Sequence, residues 1–239
     1  MQKFKRATSG IALVLTLGGC GGGGGDKDAT STVNVTTTDA AVVANVKSSN
    51  IDFLPSNRPT GTWRWSATPV SRITVYVPTP ASGNATEQDY ATKTTNSIAQ
   101  INSKLSGLLI LESTASLPLS GSYMRVSYGT SYLPPGSTNY QGFCANVSTG
   151  ANLGNVMVPD NQNGIAPNPV FINLGNGRCD VTQDIVTHEF GHALGLATHF
   201  SGFGDGPAIS TAFWDVLASL YGNPVSTVAT GLLVKRAAN

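Results

Sequence analysis

The three histidines of the chain all fall within twelve residues, in the segment H-E-F-G-H-A-L-G-L-A-T-H. His188 and His192 are four residues apart, so on a helix both imidazoles project from one face and can bind one metal ion. Gly195 suits a left-handed helix end, where a Cβ is penalised, and such a turn would bring His199 back toward the same ion. The spacing therefore predicts a Zn2+ cofactor held by His188, His192 and His199.

Glu189 directly follows the first histidine, next to the expected open fourth position of the zinc. Zinc lowers the pKa of bound water to about 7. Glu189 would then act as general base on the metal-bound water as it attacks a peptide carbonyl, and deliver a proton to the leaving nitrogen. Two alternatives stay open. Asp205 or Asp215 would replace His199 as the third ligand, or a structural zinc site would use Cys144 as a fourth ligand.

This stretch resembles the metzincin zinc metallopeptidases, and the matrixin-like branch most closely, on the basis of H-E-F-G-H-A-L-G-L. A late helix ending in Leu220-Tyr221-Gly222 is a second similarity to that family. The resemblance implies a zinc-dependent endopeptidase with an α+β, zincin-like fold. Such a fold has a small twisted mixed β-sheet, a long helix, the active-site helix and a short C-terminal subdomain.

The sequence differs from the family pattern at two places. The third histidine comes one residue late, with Thr198 at its usual position, so we expect the preceding loop to bulge and return His199 to the metal. No methionine follows Met157, so the family's methionine-containing turn below the zinc is missing, and Phe203 or Trp214 would fill that space.

The order of elements along the chain also favours an α+β fold. Apolar alternation predicts strands at 73–77 and 124–128, with further strands at 108–111, 156–158 and 170–172. Asn84, with Glu87 completing a capping box, begins a long helix that Gly107 ends. Asp180 is the expected N-cap of the motif helix, and Ser210 that of a late helix stopped by Gly222.

The N-terminus has the features of an export signal. Basic residues precede a short apolar core, Ile11 to Leu17, and the ending Leu17-Gly18-Gly19-Cys20 resembles the lipobox of bacterial lipoproteins. Residues 1–19 are therefore expected to be a lipoprotein signal peptide, with lipid on Cys20 anchoring an exported protein to a bacterial outer membrane or cell surface. Residues 20–60, rich in Gly, Thr and Ser, are expected to be a flexible tether, and 61–239 the catalytic domain.

The composition bears on the partners. Fourteen basic residues against thirteen acidic ones argue against nucleic acid as a partner, since phosphates demand a basic surface. Cys144 and Cys179 remain as an even pair and predict a disulfide in an oxidising compartment.

The expected partner is a protein or peptide substrate, paired with an edge strand near residues 155–158. The alternative is a non-catalytic zinc-containing surface lipoprotein that acts as a binding module, but binding alone needs no base such as Glu189.

Overall fold

The computed structural model describes residues 33–53, 61–65, 70–128, 145–149, 165, 169–175 and 181–239. Helices α1 to α4 span Asp39–Ser49, Ala85–Lys104, Gln183–Ala193 and Thr211–Tyr221. Strands β1 to β7 span Ser71–Tyr76, Leu109–Thr114, Met124–Tyr128, Ala145–Thr149, Val170–Leu174, Phe200–Ser201 and Gly204–Asp205. Short 3₁₀ turns lie at Ile51–Phe53 and Ala229–Gly231.

Strands β1 to β5 form one mixed sheet in the order β2-β1-β3-β5-β4. All neighbours pair in parallel except β4, which runs antiparallel to β5 at the edge of the sheet. A strand–helix–strand unit is thus followed by further strands, the motif helix α3 and the late helix α4. This order confirms the predicted α+β fold class, with its small mixed sheet, long helix and motif helix, and is consistent with a zincin-like fold.

One face of the sheet is the core against which α2 and α3 pack. Alternate residues of the strands, such as Ile73 and Val75 in β1 and Met124 and Val126 in β3, are at most 2% exposed. Burial of each such side chain contributes about 1.5–3 kcal/mol. The period-2 pattern of the sequence therefore identified the buried face of these strands correctly.

Helix α2 begins as predicted, at an Asn84 side chain that accepts a hydrogen bond from the Glu87 N–H at 3.1 Å. The Glu87 carboxylate accepts from the N–H of Ala81 instead of Asn84, so the expected capping box is only half formed. The helix ends at Lys104, shortly before Gly107, which takes a φ of 77°.

The tether predicted for residues 20–60 is wrong for residues 39–53, which belong to the folded body. Thr38 caps α1 by accepting from the Ala41 N–H, and Val42 and Val46 are fully buried on the side of α1 that packs against α4. Their spacing of four residues places both on one face of a helix, and that face finds an apolar partner in α4.

The C-terminal segment of the chain lies beside this helix pair. Arg236 forms ion pairs with Asp215 on α4 at 2.7 Å and with Asp39 on α1 at 2.5 Å. Asp215 also accepts from the Ala237 N–H at 3.1 Å. The C-terminal segment therefore fastens α1 to α4.

Several predictions fall on residues outside the described ranges. They concern the signal peptide and Cys20, the strand at 156–158, the disulfide between Cys144 and Cys179, and Asp180. Within the described ranges, none of the helices combines the length and the apolar character that crossing a bilayer requires.

Candidate metal centre

Helix α3 carries the histidine motif and is held against α2 by a polar seam. Its N-cap is Thr182, which accepts from the Ile185 N–H at 3.3 Å, and not the predicted Asp180. The Gln183 side-chain amide donates to Ser97 Oγ at 2.8 Å, and the buried Ser97 and Thr187 hydroxyls are bonded at 2.9 Å. Because these groups are bonded across the interface, they fix the axial position of α3 on α2.

His188 and His192 project from the same face of α3, with ring centroids 4.7 Å apart. The Nδ1 atom of His188 lies 2.9 Å from the Ala208 carbonyl oxygen, and that of His192 lies 2.5 Å from the Leu196 carbonyl oxygen. A carbonyl oxygen only accepts, so each Nδ1 carries the hydrogen and each Nε2 presents a lone pair. Such bonds set the tautomer and the orientation of metal-ligating histidines.

The chain leaves α3 through a Schellman turn at Gly195, as its sequence predicted. The Leu196 N–H donates to the Gly191 carbonyl at 3.1 Å and the Gly195 N–H to the His192 carbonyl at 3.0 Å. Gly195 takes a φ of 113°, which disfavours any residue with a Cβ.

Side chains from distant elements satisfy the carbonyls at the end of α3. Trp65 Nε1 donates to the Ala193 carbonyl at 2.8 Å, and the Tyr221 hydroxyl donates to the Leu194 carbonyl at 2.9 Å. These carbonyls have no intrahelical partner, so the two aromatic residues fix the point from which the loop departs.

His199 returns to the other two imidazoles despite its late position, as expected from the bulge. Its Nε2 lies 3.2 Å from Nε2 of His188 and 3.2 Å from Nε2 of His192. Among the described residues, these three form a group whose candidate ligand atoms all lie within 4.8 Å of one another. This group could therefore bind a metal ion.

Phe203, and not Trp214, occupies the space expected of the missing methionine turn. Its fully buried ring stacks on His188 at 4.3 Å between centroids and lies 4.9 Å from His192 and 5.6 Å from His199. Phe213 stacks on it at 5.2 Å. One aromatic ring thus supports all three imidazoles.

Two glycines allow this close approach of the Phe203 turn. Gly202 has a φ of 93° and Gly204 a φ of 77°. A Cβ on Gly202 would lie 2.2 Å from Ser210 Oγ, and one on Gly204 would lie 2.6 Å from the His199 ring. Side chains do not tolerate such distances, so the Gly-Phe-Gly sequence is specific to this packing.

Burial keeps the three imidazoles neutral. It lowers the pKa of His188 well below its usual value, with a smaller contribution from His192, and lowers that of His192 to about 4. Burial also lowers the pKa of His199, while the Asp205 carboxylate opposes this. Burial raises the pKa of Glu189, the residue beside His188, to about 8. At neutral pH the histidines are therefore in the form that binds metals.

The three donors fit zinc. Zn–N bonds of 2.0–2.1 Å at tetrahedral angles put neighbouring nitrogens about 3.3 Å apart. The two Nε2 separations at His199 are both 3.2 Å. His188 is buried, whereas His192 and His199 are partly exposed, so the cluster can be reached from solvent.

The other acidic candidates are not part of this group. Asp215 is occupied by Arg236 and the Ala237 N–H, which contradicts its proposed role as the third ligand. Asp205 is exposed and does not belong to the candidate metal group. Cys144 lies outside the described residues. Sequence reasoning missed Trp65 and Tyr221, because no local pattern shows which helix end a distant aromatic residue will cap.

No family model and no curated protein matches the sequence. Among solved structures, the chain matches in part High choriolytic enzyme 1, a hatching enzyme zinc-protease from Oryzias latipes (medaka fish). The TM-score is 0.32 and the identity 14%, over 56% of this chain and 48% of that one. The chain thus spans about half the length of the protein it matches, and the functional interpretation depends on the geometry of the site.

Proposed function

We propose that the chain is a zinc-dependent endopeptidase with His188, His192 and His199 as metal ligands. The observation that carries the proposal is the position of the His199 Nε2 atom, which lies 3.2 Å from Nε2 of His188 and 3.2 Å from Nε2 of His192. The carbonyl bonds at His188 and His192 direct their lone pairs there, and a cation matches such a group of lone pairs. When bound, zinc would lower the pKa of water and polarise the substrate carbonyl.

Glu189 is proposed as the proton-transfer group. It is next to His188 on α3 and is 5% exposed; burial raises its pKa to about 8, and a bound cation would lower that pKa toward a neutral working pH and so favour the carboxylate form that accepts a proton. A general base works best when its pKa lies near the operating pH. Glu189 would take the proton of the attacking water and pass it to the leaving amide nitrogen.

The peptide substrate is proposed to pair with β4. This strand lies at the edge of the sheet, packs against α3, and in the described part of the chain has a strand partner only in β5. An extended peptide can add to such an edge by main-chain hydrogen bonds. The edge predicted near residues 155–158 stays a prediction, because these residues lie outside the described ranges.

The test is a Glu189→Ala variant. It should retain one zinc per chain, because Glu189 is assigned to proton transfer and not to coordination, and it should no longer cleave casein. Asp184→Asn is the matched control, since it removes a half-buried carboxylate from the first turn of the same helix. The control should retain both zinc and proteolysis. Casein cleavage by the Glu189→Ala variant at a near wild-type rate would overturn the mechanism, and zinc binding by a wild type that cleaves nothing would favour the binding module.

We also propose that the protein is exported and held at a bacterial membrane by lipid on Cys20. Support comes from the charged leader that ends in Leu-Gly-Gly-Cys. Cys20→Ser should move the protein from the membrane fraction to the soluble fraction. An unmodified Cys20 within the mature chain, found by mass spectrometry, would contradict the anchor.

A further inference from the structure

The C-terminal end of α1 binds the loop that leads to His199. This loop, residues 195–198, is called the ligand loop. The Ala197 N–H donates to the Ser49 carbonyl at 2.6 Å, and the Thr198 hydroxyl donates to the Ser48 carbonyl at 3.0 Å. Carbonyls at a helix C-terminus have no partner within the helix, so they are available to an external donor.

Asn50, the C-cap of α1, binds the other end of the ligand loop. Its fully buried side-chain amide donates to the Gly195 carbonyl and to the Trp63 carbonyl, both at 2.8 Å. Its Oδ1 accepts from the Trp63 N–H at 3.1 Å. Both amide hydrogens are therefore used, and the side chain has a single orientation that satisfies them.

We propose that residues 48–50 are a positioning element for the third metal ligand, with Asn50 as the central residue. The inference rests on the proposed zinc site. The α1 contacts bind the ligand loop at its first residue, Gly195, and at its last two residues, immediately before His199. A loop one residue longer than the family spacing has more freedom to miss the metal. Fixing both ends of the loop removes that freedom. This matters for metal binding, since a ligand must be held to within about 0.5 Å of its working position.

A purely structural role for Asn50 is the competing explanation, and Asn223 provides the control. Asn223 is also buried, at 3% exposed, and its amide donates to the Ser219 and Leu233 carbonyls, both at 2.7 Å. Its Oδ1 accepts from the Leu233 N–H at 3.0 Å. Both asparagines thus make two donated bonds and accept one from a backbone N–H, but only Asn50 contacts the ligand loop.

The experiment compares Asn50→Ala with Asn223→Ala in the full chain. Both variants should lose similar stability in urea, since each loses three side-chain hydrogen bonds. Zinc affinity, measured by competition with a chromophoric chelator under conditions where both are folded, should fall at least tenfold only in Asn50→Ala. The visible absorption of the Co2+-loaded protein should change in that variant alone, because a displaced imidazole alters the coordination. Equal zinc affinities and equal Co2+ spectra in the two variants would overturn the proposal.

Thr198 provides a test that does not depend on the folding of the Asn50 variant. Its side chain is exposed, so Thr198→Val removes the bond to the Ser48 carbonyl with little effect on packing. Zinc affinity should fall about threefold or more in Thr198→Val and return to the wild-type value in Thr198→Ser. Equal zinc affinities of Thr198→Val and Thr198→Ser would count against positioning by α1.

The outcome for the wild type separates the two proposals. Wild-type protein that binds zinc without cleaving casein overturns the peptidase assignment and leaves the positioning role standing. Wild-type protein that binds no zinc overturns both.

Discussion

The turn below the imidazoles provides a sharp test of how His199 is held. Two glycines there, Gly204 and Gly206, have similar backbone conformations. Gly204 has a φ of 77° and Gly206 a φ of 92°, so both take a conformation that residues with a Cβ rarely adopt. A Cβ on Gly204 would lie 2.6 Å from Cγ and Cδ2 of His199. A Cβ on Gly206 would meet no atom within 4 Å. Gly206→Ala is therefore the matched control for Gly204→Ala.

The expected magnitudes follow from these distances. An alanine at positive φ costs about 1–2 kcal/mol, so backbone strain should lower the unfolding free energy of both variants by about that much. At Gly204 the new methyl is also about 1 Å closer to the His199 ring than the ~3.5 Å at which carbon atoms pack. The imidazole must move by a comparable distance, beyond the tolerance of about 0.5 Å for a working ligand. Zinc affinity should therefore fall at least tenfold in Gly204→Ala, which is about 1.4 kcal/mol.

The assay is a chelator competition for zinc affinity, combined with urea denaturation of the metal-free proteins. Gly206→Ala should bind zinc with wild-type affinity after its loss of stability is taken into account. If Gly204→Ala binds zinc as tightly as Gly206→Ala, the packing of His199 against this turn does not hold the ligand in place.

Three further predictions follow from the same site. Phe203→Ala should lower the unfolding free energy of the metal-free protein by about 3–5 kcal/mol and weaken zinc binding. Phe203→Met should lower that free energy by less than about 1.5 kcal/mol, and equal urea midpoints for the two variants would contradict the support role. Asp205→Asn should keep zinc affinity within about twofold in the competition assay, whereas His199→Ala should lose at least tenfold; the reverse order would make Asp205 the third ligand. Metal-free Glu189→Gln protein should lose stability as the pH falls from 6.5 to 4, because burial lowers the pKa values of His188, His192 and His199 and the unfolded chain therefore binds protons first. His192 alone, whose pKa is lowered to about 4, contributes about 3 kcal/mol of this loss, and a flat urea profile over that range would refute the reasoning.

Local patterns predicted the parts of the site that depend on near neighbours in sequence. The histidine spacing, the left-handed turn at Gly195 and the Ser210 cap of α4 are all set within a few residues, and the structure has each of them. The sequence predicts the N-cap of α3 at Asp180, two residues before the observed N-cap, Thr182. Both residue types cap helices well, so tertiary contacts between Gln183 and α2 decide where the helix starts.

The errors concern contacts between residues far apart in the chain. A stretch of Thr, Ser, Asp and Val has no strong helical pattern, so the sequence predicts a tether that includes residues 39–49. What makes them a helix is the partner surface on α4, which buries Val42 and Val46. For the space below the imidazoles, Phe203 and Trp214 were equally suitable in sequence. Only the approach of the Gly202–Gly204 turn to the histidine rings selects Phe203.

The docking of α1 has a physical cause in the late position of His199. A loop with one extra residue carries an additional N–H and an additional carbonyl, and a partly buried loop must satisfy them. The end of α1 supplies acceptors for Ala197 and Thr198 and a donor for Gly195. A longer ligand loop and a docked N-terminal helix are thus complementary, since each provides the hydrogen-bond partners that the other lacks. On this reasoning, removing α1 would leave the ligand loop with unmatched polar groups at the residues that immediately precede His199.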